Sequence, residues 1–183
     1  GDDSILLDER LREFAPTSYQ GLTFSFWAKK GTFGYIASQY VNYKPGACNF
    51  WIAVGNVSDQ AVNKKVGFSL VGNGTGLPNV GYIYDELERD LEQWNHWVFQ
   101  VEPGEDNSMV YLNGILESVG DAFWNNSTSS TPFLIGAVSN SSDKLNGQID
   151  DIRIYDRIFS EEEIYALYEL ESTPPSGLPP VIF

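Results

Sequence analysis

Residues 147–164 read GQIDDIRIYDRIFSEEEI, and this stretch predicts a strand followed by a helix. Isoleucine, tyrosine and alternating polar residues from Gln148 to Tyr155 favour a strand, because branched and aromatic side chains pack well on a pleated surface. Ten shorter runs with similar composition precede it. They are residues 5–7, 22–28, 35–38, 49–54, 65–70, 81–84, 96–101, 108–112, 115–119 and 133–136. Clusters of Gly, Asn, Ser and Pro separate the runs, and many short strands between turns predict an antiparallel sandwich or barrel.

The helical half of the stretch begins with a recognisable start signal. Ser160 can accept a hydrogen bond from the amide of Glu163 while the Glu163 side chain reaches back, which is a capping box. Ile164, Leu167 and Tyr168 then fall on one helical face. We therefore expect one short helix that packs on the edge of the sandwich.

Two of the earlier runs carry further local information. Asn113-Gly114 lies between two strand-like runs and favours positive φ at both turn positions, which predicts a β-hairpin. Residues 22–28, LTFSFWA, alternate apolar and small polar side chains, which is typical of a half-buried strand.

Composition narrows the classes of function. The chain has 183 residues, 42% of them hydrophobic, which fits one large domain with a self-sufficient core. Its net charge of -14 argues against nucleic acid and anionic membranes as partners. No apolar run approaches the ~18 residues of a membrane span, so direct membrane insertion is not expected. Cys48 is the single cysteine, which excludes an internal disulfide and a cysteine zinc site.

The chain divides into a domain and a tail. We predict that residues 1–171 form the sandwich and that the proline-rich residues 172–183 form a linker or tail. A linker at this place predicts that the parent protein continues beyond the domain.

The order of several motifs resembles a known superfamily. Residues 147–157 followed by 159–164 are similar to the strand-then-helix ending of the laminin G-like, or concanavalin A-like lectin/glucanase, superfamily. Two further pairs of motifs agree in order. They are Gly1-Asp2-Asp3-Ser4-Ile5 with Phe24-Ser25-Phe26-Trp27-Ala28, and Trp94-Asn95-His96-Trp97-Val98 with Tyr111-Leu112-Asn113-Gly114. The resemblance implies an all-β, antiparallel jelly-roll β-sandwich, here with a short C-terminal helix. It also implies that Trp27 and Trp94, which match family positions, lie in the core.

The resemblance also raises the question of catalysis. Glycoside hydrolases on this fold need two carboxylates on neighbouring inward positions of one strand, in a Glu-x-Asp-x-x-Glu motif, and the chain has no such motif. His96 is the only histidine, so Ser-His-Asp chemistry would depend entirely on it. The matching histidine of the family is a structural strand residue. The sequence therefore predicts that the chain is not an enzyme, and a hydrolase or lyase that uses His96 is the remote alternative.

A calcium ion is the one cofactor that the sequence suggests. Calcium prefers several hard oxygen ligands, and Asp2-Asp3 and Asp150-Asp151 supply adjacent carboxylates. In similar sandwiches the first and last strands run close together and often hold calcium. We expect Asp3, Asp150 and Asp151 to bind a structural calcium; pairing of an aspartate with Arg153, or capping of a bulge, is the alternative.

Ligand binding is expected from loop aromatics beside amides. Sugars offer apolar faces to aromatic rings and hydroxyl groups to Asn, Asp and Gln. The residues that meet this description in turns or at strand starts are Tyr40, Asn42, Tyr43, Asn49, Trp51, Tyr84, Trp124 and Asn126. Ordinary packing is the alternative for each of them.

These observations favour an extracellular or cell-surface binding module within a larger secreted protein. The expected partner is a carbohydrate, such as a polysaccharide or a cell-surface glycan. The alternative is a structural or adhesive module that binds another protein through its sheet surface or edge and has no sugar site.

Overall fold

Ten strands and one helix make up the described part of the chain. The computed structural model describes residues 5–6, 21–30, 34–39, 50–54, 66–70, 93–102, 108–120, 133–137 and 144–172. The first strands are β1 (Ile5–Leu6), β2 (Leu22–Lys30), β3 (Gly34–Gln39), β4 (Phe50–Val54) and β5 (Val66–Leu70). They are followed by β6 (Asn95–Val101), β7 (Ser108–Leu112), β8 (Ile115–Gly120), β9 (Leu134–Ile135), β10 (Gly147–Tyr155) and α1 (Glu161–Ser172).

The strands form two five-stranded sheets. The first has the order β1-β9-β3-β4-β5 and the second β10-β2-β6-β7-β8. Every neighbouring pair is antiparallel. The core between them combines side chains of both sheets, among them Phe26, Trp97 and Phe99 from the second and Ile36 and Ile52 from the first. The predicted antiparallel jelly-roll sandwich with a short C-terminal helix is confirmed.

The predicted hairpin joins β7 to β8. Asn113 has φ 50° and Gly114 φ 80°, as the turn chemistry requires. The Asn113 side chain also accepts a hydrogen bond from the His96 amide at 2.9 Å and donates to Asn95 at 3.1 Å. The turn therefore fixes the start of the neighbouring strand β6 as well as its own two strands.

Helix α1 begins with the predicted capping box. The Glu163 amide donates to Ser160 Oγ at 3.2 Å, and the Ser160 amide donates to Glu163 Oε2 at 2.9 Å. Its expected position at the sandwich edge is wrong, because α1 packs on the outer face of the second sheet. Ile164 is fully buried there against Val98 and Tyr111, whose apolar side chains point away from the core.

This helix changes the burial of the strands beneath it. β2 was expected to be half-buried, but residues 22–28 are buried on both faces except for the partly exposed Trp27. All seven residues of β6 are buried. The alternating pattern of β2 is present in the sequence, but its polar face is covered by α1 instead of by water.

Trp94 and Trp27 depart from their expected core positions. Trp94 is 42% exposed just before β6, so its assignment to the core is wrong. Trp27 lies on the outer face of β2 beneath α1, at a 6.0 Å ring separation from Tyr168. Within the described residues, no helix has the length and apolar character needed to cross a membrane.

Candidate functional site

Four strands of the first sheet begin or end at the same end of that sheet. The register pairs Gln39 with Phe50 and Phe50 with Leu70, and it places Leu134 opposite Ser38. Gln39, Phe50, Leu70 and Leu134 therefore lie at the same end of this sheet. We call it the loop end.

The second sheet contributes a further strand end. Only residues 31–33 join Lys30 to Gly34, and such a link spans at most about 14 Å. Lys30 therefore lies beside Gly34, at the end of the sandwich opposite the loop end. Gly120 pairs with Ser108, and the register through β7 and β6 places both at the other end of the second sheet from Lys30. Gly120 thus belongs to the loop end.

Two segments that carry predicted ligand residues begin and end at the loop end. Segment 40–49 joins Gln39 to Phe50, and segment 121–132 follows Gly120 and leads to β9. Segment 71–92 leaves from Leu70 at the loop end but enters β6 at the opposite end. The fold therefore attaches 40–49 and 121–132 to one end of the sandwich, whereas segment 71–92 is attached there only by its start.

Most predicted ligand residues lie in these segments, outside the described residues. They are Tyr40, Asn42, Tyr43, Asn49, Tyr84, Trp124 and Asn126, and Asp3 of the predicted calcium site also lies outside. Trp51 is the second residue of β4, where its backbone pairs with Ser38 and Ser69. Its place in the sheet is next to the loop end.

Asp150 and Asp151 lie at an irregularity of β10. The register with β2 shifts between Asp150 and Arg153, and Asp151 has φ 48°. Asp150 Oδ1 accepts a hydrogen bond from the Asp151 amide at 2.9 Å, and Asp151 lies 3.7 Å from the Arg153 guanidinium. Both aspartates are exposed, and the described residues contain no group of three or more His, Cys, Asp or Glu that could hold a metal. The local contacts match the bulge alternative and leave calcium a prediction.

A polar cluster lies between α1 and the second sheet. The Trp27 indole donates to Glu171 Oε2 at 2.8 Å, and Arg153 forms an ion pair with Glu171 Oε1. His96 Nε2 lies 2.8 Å from Ser25 Oγ and 3.4 Å from Glu171 Oε2. Glu171 thus connects α1 to β2, β6 and β10, and its side chain is only 5% exposed.

The cluster does not have the geometry of a nucleophilic triad. Ser25 and Glu171 both contact Nε2 of His96, while Nδ1 has no hydrogen-bond partner among the described residues. A triad needs the serine on one ring nitrogen and the carboxylate on the other. Ser25 and His96 are also fully buried, so no substrate reaches them in this arrangement.

Burial also decides the charge of His96. Desolvation, with a smaller contribution from the Arg153 guanidinium, lowers the pKa of His96 from 6.5 to about 4. The ring is therefore neutral at neutral pH. The neutral ring packs against Trp27 at a ring separation of 5.2 Å and stacks on Tyr168 at 6.0 Å, so it acts as a packing and hydrogen-bonding element of the helix contact.

This cluster is not among the sites predicted from the sequence. Two patterns in the sequence indicate it. Ser25 and Trp27 share one face of β2 by strand alternation, and Glu171 follows Leu167 and Tyr168 on the same face of α1 by helical spacing. An acidic residue on the packed face of a helix predicts a polar partner on the sheet below.

A family model and several solved structures match the chain. The family model, described as "Concanavalin A-like lectin/glucanases superfamily", matches residues 1–165. A SAP-like pentraxin from Limulus polyphemus matches with a TM-score of 0.59 at 18% identity, covering 82% of this chain and 70% of the pentraxin. No curated protein sequence matches the chain.

Two further solved structures contain bound partners of different kinds. Domain 4 of the extracellular arabinanase AbnA from Geobacillus stearothermophilus, in complex with arabinotriose, matches at 20% identity with a TM-score of 0.54, covering 84% of this chain and 69% of that one. The binding domain of botulinum neurotoxin DC, in complex with rat synaptotagmin II, matches at 16% identity with a TM-score of 0.60, covering 93% and 41%. At these identities the matches show the shared fold.

Proposed function

The chain belongs to the concanavalin A-like lectin/glucanase superfamily, and on this premise we propose that it is a non-catalytic module that binds carbohydrate at its loop end. The observation that carries the proposal is topological. Segments 40–49 and 121–132 hold aromatic and amide side chains, and the described strand ends attach both segments to the same end of the sandwich. Aromatic rings and amides gathered at one end suit the apolar faces and hydroxyl edges of a sugar.

The known partner of one structural neighbour is consistent with this proposal. The arabinanase domain binds arabinotriose on the same fold. For this chain, we propose a neutral glycan, because a net charge of -14 disfavours acidic polysaccharides.

The non-catalytic part of the proposal has two supports. The chain lacks the paired-carboxylate motif that hydrolysis on this fold requires. His96, its single histidine, is buried and neutral within the helix contact.

The test compares Trp124, in segment 121–132, with Trp94, at the end of the sandwich opposite the loop end. Arabino-, xylo-, gluco- and galacto-oligosaccharides are titrated into the chain by calorimetry, and the melting temperature is measured with each glycan. We expect one class to bind, and Trp124→Ala to weaken its binding about tenfold or more, because stacking and buried apolar area are lost. Trp94→Ala is the matched control, since Trp94 is exposed but precedes β6 at the opposite end.

The outcomes separate the alternatives. Equal loss in both variants, or binding abolished only by Trp94→Ala, would contradict a site at the loop end. If no glycan raises the melting temperature or gives heat, the carbohydrate proposal is wrong. Release of shortened oligosaccharides during the titration would contradict the non-catalytic assignment.

We propose that Asp150, Asp151 and Asp3 bind a structural calcium ion. The support is the donor chemistry: two adjacent, exposed carboxylates at a bulge. Melting with calcium and with EDTA tests it, because a ligand that binds only the folded state raises the melting temperature. A rise that Asp150→Asn abolishes supports the site, and identical melting in both conditions removes it.

We also propose that the module acts outside the cell, within a larger secreted or surface protein. The support is again a neighbour, since the arabinanase domain belongs to an extracellular enzyme of several domains. Detection of the parent protein in the culture medium or on intact cells by an antibody against this domain tests the location. Detection only after cell lysis would contradict it.

Contact with another protein is the second candidate function. It is favoured by apolar side chains that are exposed on β8 and on α1, among them Ile115 at 62% and Val119 at 60%. The neurotoxin neighbour, on the same fold, binds a protein.

A further inference from the structure

An exposed apolar surface lies beside α1 on the outer face of the second sheet. Leu116 and Val119 of β8 are 37% and 60% exposed, and Tyr165 of α1 is 50% exposed. Together with the partly buried Met109 of β7 they form what we call the β8 strip. Its residues belong to β7, β8 and α1, whereas the segments proposed for glycans are 40–49 and 121–132.

The register shows that these side chains share one face. Leu116 pairs with Tyr111, and Val119 pairs with Met109. Directly paired residues point to the same side of a sheet, and Tyr111 and Met109 belong to the apolar cluster beneath α1. Leu116 and Val119 therefore face the side on which the helix lies, at its uncovered flank.

Tyr165 borders the strip from the helix. A Cβ built on Gly114, in the β7–β8 turn, would lie 3.0 Å from Tyr165 Cδ2 and 3.3 Å from its Cα. The turn and α1 are thus in direct contact. The strip consequently has a floor made by β7 and β8 and one wall made by α1.

Several carboxylates lie near the described borders of this apolar floor. Residues 108–120 and 161–172 contain no lysine or arginine. Besides burial, the nearby charges of Glu161 and Glu102 raise the pKa of Tyr111 at the strip's inner border. A hydrogen bond to Glu169 raises the pKa of Tyr165. Among the described residues, the charged groups at the border of the strip are therefore carboxylates.

The edge of β8 is poorly suited to pairing with another strand. The register shifts between Val110 and Tyr111, so that Glu117 is an extra residue in β8. A bulge with a charged side chain twists an edge strand and discourages strand addition. The strip offers its face, not its edge, to a partner.

We propose that the β8 strip docks an amphipathic helix of a partner protein, with leucine-like side chains on one face and lysine or arginine beside them. A helix lying next to α1 would sit about 8–10 Å from it, which is the width of two strands. Its apolar row would cover Leu116, Val119 and Tyr165, and its basic flanks would meet the carboxylates at the border of the strip. A second copy of this chain is disfavoured, because its own border carboxylates and the net charge of -14 would repel it.

The test uses two synthetic peptides that form amphipathic helices. One consists of Leu and Lys, and the other has Glu in place of every Lys. The full chain is titrated with each by fluorescence anisotropy at 50 and 300 mM NaCl. We expect the Leu/Lys peptide to bind, more weakly at the higher salt concentration, and the Leu/Glu peptide not to bind. Absence of Leu/Lys binding, or equal binding of both peptides, would overturn the proposal.

A matched pair of variants distinguishes docking from general attraction to an acidic protein. Val119→Ser removes an apolar side chain from the strip, and Leu170→Ser removes one from α1 at a position that is 74% exposed and outside the strip. Both leave the charge unchanged. We expect Val119→Ser to raise Kd for the Leu/Lys peptide about threefold to tenfold, with Leu170→Ser at the wild-type value. Equal Kd values for both variants and the wild type would contradict docking at the strip.

Two controls separate this proposal from the others. Trp124→Ala should leave peptide binding unchanged, so that failure at the strip and failure of the glycan site are independent results. Analytical ultracentrifugation of the chain alone should show a monomer. A dimer that Val119→Ser dissociates would replace the partner helix with a second copy.

Discussion

The outer face of the second sheet has two halves with opposite burial patterns. Beneath α1, the polar side chains of Ser25, His96 and Gln100 are fully buried. Beside α1, on β8, the apolar side chains of Leu116 and Val119 are exposed. The difference shows that the position of one helix, and not the hydropathy of each residue, decides what this face buries.

The buried half uses its polar groups to position the helix. Gln100 Nε2 donates to Thr23 Oγ1 and to the Phe159 carbonyl, both at 3.1 Å, immediately before α1. Glu171 accepts from Trp27 near the other end of α1. Apolar contacts alone would permit α1 to slide, whereas hydrogen bonds at both ends fix one position.

Removal of Glu171 should give the largest effect on this contact. Glu171→Ala leaves the Arg153 guanidinium without its buried partner and the Trp27 indole without its acceptor. We expect the free energy of unfolding to fall by about 3 kcal/mol, measured by urea denaturation. Glu162→Ala, exposed on the first turn of α1, should lower the free energy of unfolding far less, because water screens its charge. Equal losses in the two variants would contradict the anchoring role of Glu171.

Acidification should weaken the buried half by a smaller amount. The folded-state pKa of His96 is about 4, below the 6.5 of the unfolded chain, so the unfolded state binds a proton first as the pH falls. The His96 contribution to the free energy of unfolding should fall by about 2 kcal/mol between pH 7 and pH 5. Because His96 is the only histidine, its imidazole NMR signals can be followed directly. Titration near pH 6.5 in the folded chain would show that the ring is not buried as described.

Gly114→Ala tests the contact between the two halves. We expect it to lower the free energy of unfolding by about 1–2 kcal/mol. Alanine at φ 80° is strained, and its Cβ would press on Tyr165 of α1. Thermal melting of Gly114→Ala and of the double variant with Tyr165→Ala separates the two causes. The loss caused by Gly114→Ala should be smaller in the Tyr165→Ala background than in the wild-type chain. An equal loss in both backgrounds would mean that backbone strain alone destabilises Gly114→Ala.

Local signals in the sequence predicted much of this fold. Asn113-Gly114 specified its hairpin and the spacing of Ser160 and Glu163 specified the helix start, because both depend on residues close together in the chain. Residues 22–28 identified β2 by alternation. Such features can be predicted without knowing which distant residues pack against them.

Long-range packing was the part that sequence could not supply. The polar face of β2 reads as solvent-facing until α1, more than 130 residues later, is placed over it. Trp94 and Trp27 looked alike as strand tryptophans, yet one is exposed and the other lies under the helix. At the candidate site, residue types suggested sugar chemistry, but the common end of segments 40–49 and 121–132 emerged only from the strand register.

The most direct test of the carbohydrate proposal follows the backbone amide NMR signals while the best-binding glycan is added. Binding at the loop end predicts shifts for Gln39, Phe50 and Leu70, at the strand ends that adjoin it. Lys30, Asn95 and Gly147, at the opposite end, should keep their positions. Shifts confined to the opposite end or to the β8 strip would contradict a carbohydrate site at the loop end.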